Sequence, residues 1–224
     1  MRDSYGMTVC DTLEEMVDPR RVAVLAIDIQ NDFCSPEGHF ARNGRNIDMI
    51  REKLPTMRRF VVEARKLGLP IVLMRQCTDP GGSSDSPAWR RFKTRDGKTP
   101  FYTTVGTWGW QVDDGLEQAA SDWTIDKYRP DAFVGTRIDR LLRANGIESV
   151  VILGTTTEGC IESTVRGASY HDYYTIVVRD AVATSSQVLH DGSMRLFEAR
   201  YPLATADELL GIWTRATNAR GKAA

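Results

Sequence analysis

Only three histidines and four cysteines occur in the 224 residues. The histidines, His39, His171 and His190, are too scattered to build a metal site between them. The cysteines fall at 10, 34, 77 and 160, without CxxC spacing or disulfide-rich density. That usage fits a reducing cytosol with its thiols free. No apolar run approaches the ~18 residues of a membrane span. The opening stretch, MRDSYGMTVCDTLEEM, has no apolar h-region and turns acidic, which excludes a signal peptide. Neither sign of charge dominates, at a formal −1, and no zinc-finger or basic-helix pattern appears. Nucleic acid and membrane are therefore excluded as partners. There is no internal repeat, low-complexity tract or linker. What remains is a soluble cytoplasmic domain, long enough to bury a core without staples.

Residues 1–20 are polar and mixed, and read as an extended arm on the surface or at a subunit contact. Arg21 to Ile29 is a continuous apolar strand with Asp28 near its end. Ile47 to Leu67 has helical periodicity, with Gly68 as its C-cap and a kink or break expected at Pro55. Leu69 to Met74 is a second buried strand. Residues 77–111 change character, with Trp89, Arg90, Arg91, Phe92, Trp108 and Trp110 in a stretch of little periodicity. So long a segment reads as a lid over a pocket or as a subunit interface, and both fit. Trp123 to Lys127 forms a strand, Thr136 opens a helix that stops at Asn145-Gly146, and 148–153 is the next strand. Tyr174 to Val178, a helix from Gln187 to Ala199, a short strand in 201–205 and a helix over 206–216 follow, with 217–224 fraying. Wholly apolar strands alternating with helices signify a sheet covered on both faces. The fold class is α/β, with a single doubly wound, mainly parallel six-stranded sheet over 21–216. Such sheets bind ligands outside the carboxyl ends of their strands.

Everything is organised around Val150 to Glu162. A β-branched apolar run is broken by Gly154 and three threonines, and after Cys160 the apolar spacing becomes that of a helix. A cysteine at a helix start meets unpaired backbone N–H groups and a favourable dipole, which predicts a lowered thiol pKa. The plainer reading is a buried apolar cysteine. Asp28, Lys127 and Cys160 all lie at or just after strand ends, so a parallel sheet points them into one crevice. The Asp can take the thiol proton while the Lys keeps the Asp ionised. Asp28 and Lys127 alone also read as a structural ion pair.

The segments DIQNDF from Asp28, KYRPDAF from Lys127 and GTTTEGC ending at Cys160 together resemble the isochorismatase-like cysteine hydrolases, in order and spacing from about 20 to 215. That resemblance implies an Asp28–Lys127–Cys160 triad and a cis peptide between Thr155 and Thr156. It also implies an oxyanion hole from the N–H groups of Thr156 and Cys160. The loop after the second strand carries Asp79 and Asp85 but no histidine, unlike the metal-dependent nicotinamidases, so neither a metal nor another cofactor is expected. The turn is most similar to that of the metal-free amidohydrolases acting on carbamoyl compounds and ureides. The expected reaction is cleavage of a small ureide or carbamoyl C–N bond through a covalent Cys160 intermediate. Other small amides, such as maleamate or nicotinamide, are the alternative, as is a binding protein or a thiol redox protein using Cys34. Phe33, Gln30, Trp108, Tyr128, Glu158 and Gln187 are candidate substrate contacts, and Arg90 (or Arg91 or Arg95) a clamp for a carboxylate. The family resemblance also implies a dimer or tetramer.

Overall fold

The computed structural model describes residues 1–95, 97 and 100–221. Its strands are β1 (Arg2–Ser4), β2 (Met7–Val9), β3 (Val22–Ile27), β4 (Ile71–Gln76), β5 (Trp123–Lys127), β6 (Ser149–Thr155), β7 (Tyr174–Ala183) and β8 (Leu203–Ala204). Its helices are α1 (Leu13–Met16), α2 (Asn31–Cys34), α3 (His39–Arg42), α4 (Asp48–Lys66), α5 (Pro87–Lys93), α6 (Ile138–Ala144), α7 (Glu162–Tyr170), α8 (Gln187–Arg200) and α9 (Ala206–Gly221). Six strands pair in the order β5-β4-β3-β6-β7-β8, every pair parallel. The chain winds outward from β3 to β5, returns to the middle at β6, and winds the other way to β8. The reversal leaves a crevice between the ends of β3 and β6, where doubly wound sheets place their ligands.

Alternation along β3 sorts the core. Val22, Val24 and Ala26 pack with the α4 stripe of Ile50, Leu54, Met57, Phe60, Val61 and Ala64, and with Leu209 and Trp213 of α9. Ala23, Leu25 and Ile27 face Ile138 and Leu142 of α6, Val165 and Ala168 of α7 and Phe197 of α8. Each fully buried side chain of this kind contributes about 1.5–3 kcal/mol, so both layers are held to the sheet by apolar burial. Among the described residues no helix is long and apolar enough to cross a membrane.

Several elements differ from what periodicity predicts. Pro55 does not break α4, because the apolar stripe is buried on both sides of it and carries one helix across. Residues 1–20 are not an extended arm. They form the β1–β2 hairpin and a helix capped by Thr12 and Glu15, and Trp213 Nε1 donates to the Val17 carbonyl at 2.8 Å. β7 runs past Val178 to Ala183, since its pairing with β6 shifts register between Ile152 and Gly154 and lets Arg179 and Asp180 bulge outward. The stretch 77–111 contains α5, capped by Ser86 with Pro87 in its first turn. The last helix continues beyond 216 to Gly221, and 222–224 lie outside the described residues.

Candidate active site

Asp28 follows β3 directly and adopts a left-handed backbone, φ 51°, a conformation Asp tolerates better than most residues. The turn aims its carboxylate under β4 and β5. Oδ1 accepts from the Gln76 N–H at 2.8 Å, and Oδ2 from Lys127 Nζ at 2.7 Å. Both side chains are buried, Asp28 at 1% and Lys127 at 0% exposure. Lys127 Nζ also donates to Gln76 Oε1 at 3.1 Å and to the Arg129 carbonyl at 3.4 Å. Its donors are thus fully used, as a buried ammonium requires.

Gly154 sets the opposite wall. Its φ is 120°, and a Cβ there would lie 2.0 Å from the Ile27 carbonyl oxygen, so only glycine lets β6 run this close to β3. Thr155 Oγ1 then donates to the Asp28 carbonyl at 2.8 Å, and the Thr155–Thr156 peptide bond is cis. Cys160 does not open an α-helix. It sits inside a π-helical turn, Thr157–Ile161, with the Ile161 N–H on the Thr156 carbonyl at 3.1 Å, and α7 begins at Glu162. The KYRPDAF segment docks on α7 through the Ala132 N–H to Thr164 Oγ1, 3.1 Å, and through Asp131 packed on Gly167.

The Cys160 thiol lies close enough to Asp28 and Lys127 for both to act on its ionisation. Burial pushes its pKa up and the nearby Asp28 adds to this, so the lowered value predicted from a helix start does not arise. Burial also raises Asp28, against the pull of Lys127. Lys127 is held protonated, because Asp28 and Cys160 outweigh its own desolvation. The resting arrangement is a thiol beside a buried, unusually basic carboxylate.

Asp28, Cys160, Thr156 and Glu158 line a cavity of about 390 Å³ together with Phe33, Gln76 and Pro130. Of the residues predicted from sequence, Phe33 and Glu158 reach this cavity, as does Arg95. The others lie elsewhere. Gln30 is buried behind Gln76, accepting its N–H at 2.8 Å. Arg90 donates to the Gly82 carbonyl, Trp108 to Asp114, Tyr128 to Asp79 and Gln187 to Asp191. Asp85 pairs with Lys93 at 2.8 Å. Cys34 is buried in α2 and is not a lining residue. Among the described residues no three His, Cys, Asp or Glu side chains are grouped to hold a metal.

The sequence reading named Trp89 and Phe92 as part of a lid or interface segment, and missed Phe40, Lys93 and Tyr102 of the aromatic and basic wall. These come from α3, α5 and the loop beyond it. Asp32 of α2 ties them down, taking the His39 N–H at 3.0 Å and the Thr103 N–H at 2.6 Å. Asp32 stands inside the DIQNDF segment, but its partners are far off in sequence. The Ser86-Pro87 pair was the one local signal, a helix start.

The profile of the family described as Isochorismatase domain matches residues 22–207. Ureidoacrylate amidohydrolase RutB from Methylobacterium radiotolerans is 28% identical over 215 residues, covering 89% of this chain and 83% of that protein. The protein of the same name from Caulobacter segnis is 29% identical over 175 residues, covering 74% and 73%. Among solved structures, a cysteine hydrolase from Pseudomonas syringae superposes with a TM-score of 0.78 over 90% of this chain and 96% of its own, at 20% identity. That likeness concerns the fold. An N-carbamoylsarcosine amidase from Thermoplasma acidophilum reaches 27% identity and a TM-score of 0.66, covering 84% and 97%.

Proposed function

Because this chain belongs to the isochorismatase family, we propose that it is a hydrolase of small amides, with Cys160 as nucleophile and a ureide or carbamoyl compound as substrate. The names of its relatives support that substrate class, ureidoacrylate in one group and N-carbamoylsarcosine in a solved structure. The observation that carries the reading is the meeting of Cys160 and Asp28 in one cavity, with Lys127 paired behind the carboxylate.

Asp28 takes the thiol proton as Cys160 Sγ attacks the carbonyl carbon, forming the C–S bond. Its raised basicity suits that task, since proton transfer works best between groups of matched pKa. The N–H groups of Thr156 and Cys160 hold the oxyanion. Asp28 then gives its proton to the departing nitrogen as the C–N bond breaks, releasing ammonia and leaving a thiocarbamate on Cys160. Water attacks that carbon, its proton passing to Asp28 and on to the sulfur as the C–S bond breaks. One ureide and one water thus give one ammonia and one carbamic acid, which loses CO2. Lys127 exchanges no proton. It keeps Asp28 in place and offsets its charge whenever it is ionised.

The test is ammonia release across biuret, triuret, ureidoacrylate, N-carbamoylsarcosine, maleamate and nicotinamide, with Cys160→Ala as the blank. Release from a ureide that vanishes in the variant is the expected result. Release that survives in Cys160→Ala would overturn the nucleophile, and release from maleamate or nicotinamide alone would overturn the substrate class.

A further inference from the structure

Two buried polar atoms among the described residues have no hydrogen-bond partner and belong to side chains that line this one cavity: Glu158 Oε2 and Trp89 Nε1. One is an acceptor and the other a donor. Buried polar groups are almost always satisfied, and those that are not call for an explanation. Glu158 stands two residues before Cys160 in the π turn, at the reacting end of the cavity. Trp89 lies on α5, held by stacking on Phe92 at 5.0 Å between centroids, with the Arg129 guanidinium 5.4 Å from its ring. Trp89 cannot turn to find water without giving up that stacking.

We infer that the substrate supplies both missing partners, that Glu158 selects a ureide over a simple carboxamide, and that Trp89 anchors the far end of the substrate. The inference rests on the hydrolase reading above and deepens it. Glu158 accepts the N–H beside the scissile carbonyl, a donor that a ureide has and a carboxamide replaces with carbon. The Trp89 indole N–H donates to an oxygen at the far end of the substrate, a carboxylate or a second carbonyl. An apolar wall would tolerate either compound. A site built around a buried acceptor rejects the analogue without the donor, because the acceptor is then left unpaired. Arg95 lines the same cavity and favours an anionic far end, whereas the Lys93 charge is taken up by Asp85. The substrate class is therefore a ureide carrying an oxygen acceptor beyond its second nitrogen.

The experiment compares kcat/KM for N-carbamoyl-β-alanine and for its carbon isostere glutaramate, in which a methylene replaces the internal N–H. Wild type, Glu158→Gln and Trp89→Phe are compared, and Cys160→Ala is titrated with each compound by calorimetry. Glu158→Gln is expected to cut the preference for the ureide by at least about tenfold, seen mainly in KM. Trp89→Phe is expected to weaken both compounds alike, since both keep the far carboxylate. A Glu158→Gln variant that loses both substrates equally would overturn the assignment, as would an unmodified enzyme with no preference between them. Should a variant fail to fold, the wild type decides, since methylating the internal nitrogen of the ureide must erase its advantage. If neither compound is hydrolysed, binding decides. A Cys160→Ala protein that takes up the ureide but not glutaramate keeps this inference while the hydrolase reading falls, and one that binds neither ends both.

Discussion

Lys127 Nζ stands 2.7 Å from Asp28 Oδ2, and both side chains are buried, Asp28 in the wall of the cavity and Lys127 behind it. A buried pair of this kind does not in general stabilise a fold, because desolvating two charges offsets their attraction. Here it holds a carboxylate ionisable in a place where burial alone would keep it neutral. Lys127→Met removes the charge that lowers the Asp28 pKa and leaves the desolvation that raises it. The acid limb of the kcat/KM profile is therefore expected to move to higher pH. Activity at neutral pH should fall by roughly 10²–10⁴-fold, the range of a lost acid–base group. A limb that stays put in Lys127→Met would detach Asp28 from it.

Gly154 and the Ile27 carbonyl define the closest approach of the two central strands. Gly154→Ala adds a methyl group 2.0 Å from that oxygen at a φ of 120° that side chains rarely adopt. Backbone on both sides leaves nowhere to move, so the cost should be about 2–4 kcal/mol, within the range for backbone strain and overpacking. Chemical denaturation measures it. The expected loss of activity should exceed the loss of folded protein, because β3 and β6 carry Asp28 and Thr155 into the site.

Much of this architecture is legible in the sequence because its causes are local. The buried strands announce themselves as apolar runs, and Asp28, Lys127 and Cys160 sit at or just after three strand ends. The lining side chains were harder to read. Phe40, Trp89 and Tyr102 reach the cavity only because Asp32 binds the backbone at 39 and 103 and Lys93 binds Thr78 and Asp85. No periodicity records such distant ties. The same gap explains Trp108 and Tyr128. They look like wall residues from composition, yet each is drawn to a nearby carboxylate at the surface. The π turn escaped for a different reason, since its residues would also suit an ordinary helix start.

Asp32→Ala tests those distant ties. The carboxylate takes the backbone N–H groups of His39 and Thr103, and Gly109 packs against it. Removing it orphans two buried donors, each costing about 1–3 kcal/mol. The loops that carry Phe40 and Tyr102 should loosen. The expected outcome is a lower melting temperature with KM raised more than kcat is lowered. Hydrogen exchange at Thr103 should rise before that of the sheet. Unchanged protection there would mean the loop is held by other contacts.

His190 gives the protein a pH dependence of its own. It comes from α8, with Nδ1 2.9 Å from Thr157 Oγ1 and Nε2 3.5 Å from Lys53 Nζ. Burial lowers its pKa, and the Lys53 ammonium lowers it further against a weaker pull from Asp191. The unfolded chain thus takes up a proton on this ring more readily than the folded one. The ring's contribution to stability is fully present above its ordinary value of about 6.5 and is lost as pH falls through the depressed folded value. Urea unfolding between pH 7.5 and 5 should show stability falling on the acid side. His190→Gln, which keeps a polar group beside Thr157 without a titrating ring, should flatten that slope. A slope unchanged by the substitution would assign the acid sensitivity to the carboxylates instead.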